Sequence, residues 1–163
     1  MRFALLVLSD KAAAGVREDA CMPALEQGLP PGASIVERAI VPDDRTLIES
    51  RLRLWCDDGG VDCILTSGGT GLGARDVTPQ ATLAIMDYEV PGIAEAMRAA
   101  SLATVPTAML SRAVAAVRGT TLVVNLPGSP RGVRETLAAI SRVLPHAIEL
   151  LAGGVGDHPA EPY

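Results

Sequence analysis

The chain has 163 residues, 48% of them apolar, and a formal net charge of −5 at pH 7. That length suits one domain with a sizeable core, and the acidic balance argues against nucleic acid, which normally demands a basic face. Aromatic residues are confined to Phe3, Trp55, Tyr88 and Tyr163, so the core is expected to be packed from Leu, Val, Ile, Met and Ala.

Phe3–Leu8 is continuously apolar, as a central parallel strand covered on both faces should be. It is too short to span a bilayer, and it is read as a strand rather than a signal peptide; no membrane association is expected. Ser9-Asp10 ends it, Gly15 marks a turn, and Glu18–Gln27 has helical composition interrupted by Pro23. Ser34–Val41 reads as a second strand, stopped by Pro42. Asp43 or Asp44 is then suited to cap a helix over Thr46–Cys56, with Leu47, Ile48, Leu52 and Trp55 falling roughly on one face. Val61–Thr66 is a third strand. Ala81–Met86 is helical, Val90-Pro91-Gly92 breaks it, and Ile93–Ser101 resumes with Ile93, Met97 and Ala100 on one side. Ala113–Val117 and Thr121–Val124 read as strands joined by a tight turn around Arg118-Gly119, a hairpin that makes the sheet mixed. Ser129 and Pro130 look like an N-cap and first residue for a helix over Gly132–Leu144, and Pro145 separates it from His146–Leu151. The alternation of strand and helix predicts an α/β fold with right-handed crossovers. Residues 1–152 are expected to form a single domain, with 153–163 a loose tail. Cys21, Cys56 and Cys63 show no ligand spacing and read as reduced thiols, consistent with a cytoplasmic protein.

The third strand feeds the most informative stretch, Thr66-Ser67-Gly68-Gly69-Thr70-Gly71-Leu72-Gly73-Ala74-Arg75-Asp76-Val77-Thr78-Pro79. Its four glycines allow positive φ and close approach to a ligand, and successive exposed N–H groups in such a turn form an anion-binding concavity. Thr78 and Pro79 look like the N-cap and first residue of the next helix. No Gly-Lys-Ser/Thr follows the glycines, which excludes a Walker A loop. Gly69-x-Gly71-x-x-Ala74 fits the relaxed dinucleotide fingerprint, but Arg75-Asp76-Val77 intervenes before the helix, where that fingerprint must open one directly. A phosphate-bearing ligand is therefore expected at the carboxyl ends of the strands. Ser9-Asp10, Asp43-Asp44, Thr66–Asp76 and Asn125–Ser129 all lie there, the last with a helix N-terminus that attracts phosphate. Asp43 and Asp76, brought to one edge, could hold Mg²⁺ between nucleotide phosphates. Singly, Asp43 could instead cap its helix and Asp76 could pair with Arg75.

These motifs, with Gly15, Pro42-Asp43, Pro91-Gly92, Pro106-Thr107-Ala108, Leu110-Ser111-Arg112 and Asn125-Leu126-Pro127-Gly128-Ser129-Pro130, resemble the signature of the MogA/MoaB family of molybdenum-cofactor biosynthesis and the G domain of gephyrin. The match covers almost the whole chain in the right order. Pro79-Gln80-Ala81-Thr82-Leu83 and Glu89-Val90-Pro91-Gly92-Ile93-Ala94-Glu95 are similar to the MogA branch in particular. The resemblance implies a three-layer α/β/α fold with a mostly parallel mixed sheet, a homotrimer, and adenylylation of molybdopterin by Mg-ATP. It implies Asp43 and Asp76 as the catalytic, Mg²⁺-binding pair. Substrate contacts are expected from Ser9, Asp10, Thr66, Ser67, Gly68, Gly69, Thr70, Gly71, Ser111, Asn125, Pro127, Gly128 and Ser129. A downstream metal-insertion protein of the MoeA type would be the partner. A second reading is a non-catalytic trimer that carries molybdopterin to the next protein, with the aliphatic face Leu102–Met109 as a candidate contact between subunits.

Overall fold

In the computed structural model, which describes residues 1–154, the first apolar run becomes strand β1 (Arg2–Leu8), buried from Phe3 onward. A short helix α1 (Asp10–Ala13), which the sequence did not announce, is followed by helix α2 (Cys21–Gln27), where Glu18–Gln27 is expected to be helical with an interruption at Pro23. Pro23 does not break α2, because it sits in the first turn, where a missing N–H leaves no helical bond unmade. Asp19 satisfies the neighbouring donors, its carboxylate accepting from the N–H groups of Cys21 at 3.0 Å and Met22 at 2.8 Å. Next come β2 (Ser34–Val41), α3 (Arg45–Asp57), β3 (Cys63–Ser67), α4 (Thr78–Leu83), β4 (Tyr88–Glu89) and α5 (Pro91–Leu102). A 3-10 segment (Pro106–Leu110), β5 (Ala115–Arg118), β6 (Thr121–Leu126), α6 (Pro130–Ile140) and α7 (Leu144–Leu151) complete the chain. Of the expected loose tail, all but Gly153 and Gly154 lies outside the described residues.

The strands form one sheet in the order β2-β1-β3-β6-β5-β4. The first four are parallel, β5 and β6 make the expected hairpin, and β4 adds an antiparallel edge that the sequence did not announce. Leu5 lies opposite Leu65, and Leu65 opposite Val124. All three are fully buried, and a fully buried aliphatic side chain of this kind contributes about 1.5–3 kcal/mol. Side chains alternate across the sheet, which divides the core in two. One cluster joins Phe3, Leu5, Leu65 and Val124 to α2, α5, α6 and α7. The other joins Leu6, Ile64 and Val123 to α3 and α4. The α/β/α layering expected above is thus the observed one.

Within the helices some expected faces shift. In α3 the buried stripe is Ile48, Leu52, Trp55 and Cys56, while Leu47 is 49% exposed. In α5 Ala94 and Ser101 join Ile93 and Met97, and Ala100 faces solvent. Pro145 lies in the first turn of α7 instead of ahead of it. The open choice at the start of α3 is settled by Asp44, whose carboxylate accepts from the Leu47 N–H at 3.0 Å. Replacing Asp44 by Ala should lower stability by about 1 kcal/mol in urea unfolding, with no change in the denaturant slope.

Candidate functional site: a glycine loop between two aspartates and a cavity

Because β1, β2, β3 and β6 run parallel, their carboxyl ends emerge at the same edge and bring the four candidate segments together. Ser9 ends β1 by capping α1, its Oγ accepting from the Ala12 N–H at 3.2 Å. Asp10 and Asp43 then exchange bonds. The Asp10 N–H donates to Asp43 Oδ2 at 3.1 Å and the Asp43 N–H donates to Asp10 Oδ1 at 3.0 Å. Asp43 is therefore not a helix cap. Arg75 donates from Nε and Nη2 to both oxygens of Asp10, at 2.8–3.1 Å, and not to its neighbour Asp76. These bonds, with the Asp43 N–H, hold the Asp10 carboxyl below its usual range. Asp43 moves the other way. Burial pushes it up, and the charges of Asp10 and Asp76 add to that against the pull of the Asp10 N–H and Arg75.

The loop after β3 takes its shape from two glycines, not four. Gly68 has φ +114° and Gly69 φ +62°, whereas Gly71 and Gly73 are not in the left-handed region. A Cβ on Gly68 would lie 2.3 Å from the Leu8 carbonyl oxygen, so no other residue fits there. Gly71 and Gly73 instead leave room for Asp76: a Cβ at either would come within 2.9 Å of its Oδ2, which accepts from the Gly73 N–H at 2.8 Å. Thr78 is the first residue of α4 and not its cap; Val77 holds that position. The Thr78 hydroxyl donates to the Gly68 carbonyl at 2.9 Å and its N–H to the Gly69 carbonyl at 3.1 Å. Arg112 clamps the far side. Its N–H donates to the Thr70 carbonyl at 2.9 Å, its Nε to that of Gly71 at 2.7 Å, and its Nη2 to that of Asp76. The N–H groups of Gly69, Thr70 and Gly71 meet no acceptor among the described residues, which leaves them available to an anion.

On the α5/α6 side of the loop lies a cavity of about 290 Å³. Thr70 and Gly71 line one end, with Ser111, Pro127 and Ser129; Ala94, Met97 and Val105 give it an apolar wall, and Arg98, Arg131 and Glu135 add charge. Ser129 caps α6, its Oγ accepting from the Gly132 N–H at 3.1 Å, so the positive end of that helix dipole faces the cavity mouth. Gly128 packs against Gly68, where a Cβ would stand 3.2 Å from the Gly68 Cα.

Of the thirteen expected contact residues, Thr70, Gly71, Ser111, Pro127 and Ser129 line the cavity and eight do not, three of which are sealed in the core. Thr66, Ser67 and Asn125 are 0%, 1% and 0% exposed. The Asn125 Nδ2 donates to the Thr66 and Thr82 hydroxyls, each at 3.0 Å, on the α3/α4 face of the sheet and away from the cavity. The Ser67 hydroxyl donates to the Pro127 carbonyl at 2.8 Å. These side chains hold the loop's base to α4 and to the turn after β6. Sequence reasoning assigned no role to Arg112, Arg98, Arg131 or Glu135. The Arg131–Glu135 pair was legible as an i,i+4 spacing on the expected helix, while bonds from Arg112 to main-chain carbonyls leave no sequence signal.

Residues 4–146 match the family profile described as "Probable molybdopterin binding domain". The molybdopterin adenylyltransferase of Escherichia coli K12 is 40% identical over 168 aligned positions, covering 94% of this chain and 86% of that protein. That of Haemophilus influenzae is 43% identical over 143, covering 86% and 73%. Among solved structures, the molybdopterin biosynthesis enzyme MoaB from Thermus thermophilus superposes with a TM-score of 0.88 at 50% identity, over 93% of this chain and 96% of that one. A MogA structure gives 0.85 at 44% identity, over 93% and 99%.

The raised Asp43 carboxyl makes a prediction about stability. Its contribution is complete below the ordinary value of 3.8 and is lost as pH rises through the raised value, so ionised Asp43 weakens the fold at neutral pH. Asp43→Asn keeps an oxygen for the Asp10 N–H. Its melting temperature should match the wild type in strong acid and exceed it at neutral pH; thermal melts across that range check this.

Proposed function

The chain belongs to the probable molybdopterin binding domain family, and from that premise we propose that it is a molybdopterin adenylyltransferase, transferring AMP from ATP to the terminal phosphate of molybdopterin and releasing pyrophosphate. The observation that carries the reading is the two-sided glycine loop. Asp43 and Asp76 approach it from one side, at Gly69 and at Gly71 and Gly73, while Thr70 and Gly71 line the cavity on the other. Such a loop can hold a nucleotide phosphate and a second phosphate at a shared boundary.

In the reaction an oxygen of the molybdopterin phosphate forms a bond to the α-phosphorus of ATP, and the α–β bridging oxygen departs with its electron pair on pyrophosphate. The phosphates supply both nucleophile and leaving group, so the protein's task is positioning and charge neutralisation. The free N–H groups of Gly69, Thr70 and Gly71 would hold phosphate oxygens. Gly128, Ser129 and the N-terminus of α6 would hold the pterin-bound phosphate, and the Ser111 hydroxyl would contact the same substrate. Ser9, Asp10 and Arg75 shape the nucleotide side, and Thr66, Ser67 and Asn125 support the loop from beneath.

The acidic pair fits Mg²⁺. In each of Asp43 and Asp76 one oxygen is fixed by a main-chain N–H and the other takes no hydrogen bond among the described residues. No three His, Cys, Asp or Glu side chains among those residues gather closely enough to hold a metal by themselves. That suits an ion which takes one or two carboxylates and completes its shell from phosphates and water. Bound there, Mg²⁺ would neutralise charge on the ATP phosphates, with Asp43 and Asp76 as its protein ligands.

We also take the protein to be a cytoplasmic homotrimer that passes its product to a metal-insertion protein of the MoeA type. No described helix is long and apolar enough to cross a membrane. Leu102, Met109 and Leu110 are 40–64% exposed, an apolar strip that supports self-association. Sedimentation is expected to give a trimer; a monomer at working concentration removes that part of the proposal. Mixing the protein with Mg-ATP and molybdopterin should release pyrophosphate. Asp43→Asn and Asp76→Asn should each lower the rate about a hundredfold or more while leaving pterin bound. A near wild-type rate for Asp76→Asn removes the metal role, and bound pterin without pyrophosphate release favours a non-catalytic carrier.

A further inference from the structure

Among the described residues lining the cavity, Glu135 is the one carboxylate. Its Oε1 accepts from the Nε of Arg131, one turn earlier on α6, at 2.6 Å. That bond orients the carboxylate and leaves Oε2 without a hydrogen bond among the described residues. The side chain is 32% exposed, so it is neither sealed in the core nor loose on the surface. Beside it Ala94 and Met97 offer an apolar wall to a flat ring.

A carboxylate has only acceptors to offer, so it matches a ring edge that presents two donors side by side. A 2-amino-4-oxopyrimidine has that edge, with its ring N3–H next to the exocyclic 2-amino group. Adenine does not, because its amino group adjoins an acceptor nitrogen whose lone pair would face a carboxylate oxygen. A volume of about 290 Å³ is at the small end for ligand pockets and admits one bicyclic ring, not two substrates. Along α6, Ser129 and Glu135 are about 9 Å apart at the helical rise per residue. Ring recognition and phosphate recognition therefore sit at opposite ends of one cavity.

We propose that Glu135 is the specificity-determining contact of this cavity, accepting both hydrogen bonds from the 2-amino-4-oxopyrimidine edge of the pterin, with Arg131 as its positioning residue. The assignment rests on the adenylyltransferase reading for the identity of the second substrate, and its test does not need the transfer reaction. Binding of 6-hydroxymethylpterin and of 6-hydroxymethyllumazine, in which oxygen replaces the 2-amino group, is compared by titration. Wild-type protein should prefer the pterin by about tenfold or more, as a matched bidentate pair does over a mismatched one. Glu135→Gln presents one donor and one acceptor, which suits the lumazine edge, so its preference should invert. Glu135→Ala should bind both weakly and alike, and unchanged melting temperatures and ATP affinity in both variants establish that the fold and the nucleotide side are intact. A pterin preference that survives both substitutions overturns the proposal, even if pyrophosphate release is normal. So does wild-type protein that fails to bind the pterin, or that binds GMP, with the same donor edge, more tightly. Failure of pyrophosphate release with the preference intact and inverted as described would leave Glu135 assigned and overturn only the transferase.

Discussion

A peptide group can turn its N–H toward a ligand only if its carbonyl finds a partner on the protein side. Around the glycine loop that condition is met residue by residue. Thr78 takes the carbonyls of Gly68 and Gly69, and Arg112 takes those of Thr70, Gly71 and Asp76. The guanidinium suits this task because it is planar, permanently charged and purely a donor, so it can gather several main-chain oxygens without needing a carboxylate. What remains facing outward is a row of amide donors. The loop is thus a preorganised electropositive surface made without a cationic side chain at its centre, which leaves room for Asp43 and Asp76 to stand beside the phosphates.

The sheet decides where this loop can be. Four parallel strands deliver their carboxyl ends to one edge, and the tie between them is polar. Asp10 and Asp43 lock the ends of β1 and β2, Arg75 draws the loop onto the same pair, and Ser67 fastens β3 to the turn after β6. Exposed ion pairs of the Arg75–Asp10 kind contribute little to global stability. Their use here is geometric, since they fix the spacing of groups that must meet two substrates at once. Beneath them the Asn125, Thr66 and Thr82 side chains form a polar contact sealed inside the α4 packing. A buried group of this sort is costly if it loses a partner, which makes α4 sensitive to register.

Much of this could be read from the residues. The apolar run at 3–8 gave a buried strand because nothing polar interrupts it, and 61–66 gave one whose start is set by Asp62, which pairs with Arg2 just ahead of β3. Ser129-Pro130 gave a helix start because cap and first position are local chemistry. The strip Tyr88–Glu89 was not legible, since a two-residue edge strand exists only by pairing with β5. Thr78 misled for a related reason. Its type suits a cap, but its hydroxyl is more useful to the Gly68 carbonyl, a choice that depends on where the loop returns. Asn125 shows the limit most clearly. Its position at a strand end was correct, yet in-line neighbours on a strand point to opposite faces. The alternation that places Leu126 on the α6 side places Asn125 on the α4 side.

The scarcity of aromatic residues has an optical consequence. The single tryptophan, Trp55, is 4% exposed in the cluster on the α3 side, with the Arg51 guanidinium 5.4 Å above its ring. The cavity lies across the sheet, and no aromatic ring is among its lining residues. A fluorescent heterocycle seated there meets no stacking partner to quench it, and Trp55 has no direct contact with it. A heterocycle that absorbs where tryptophan emits quenches Trp55 by resonance transfer, which needs no contact within a domain of this size, so the lone tryptophan signals an occupied cavity from across the sheet. Exciting the heterocycle directly reads occupancy without that transfer.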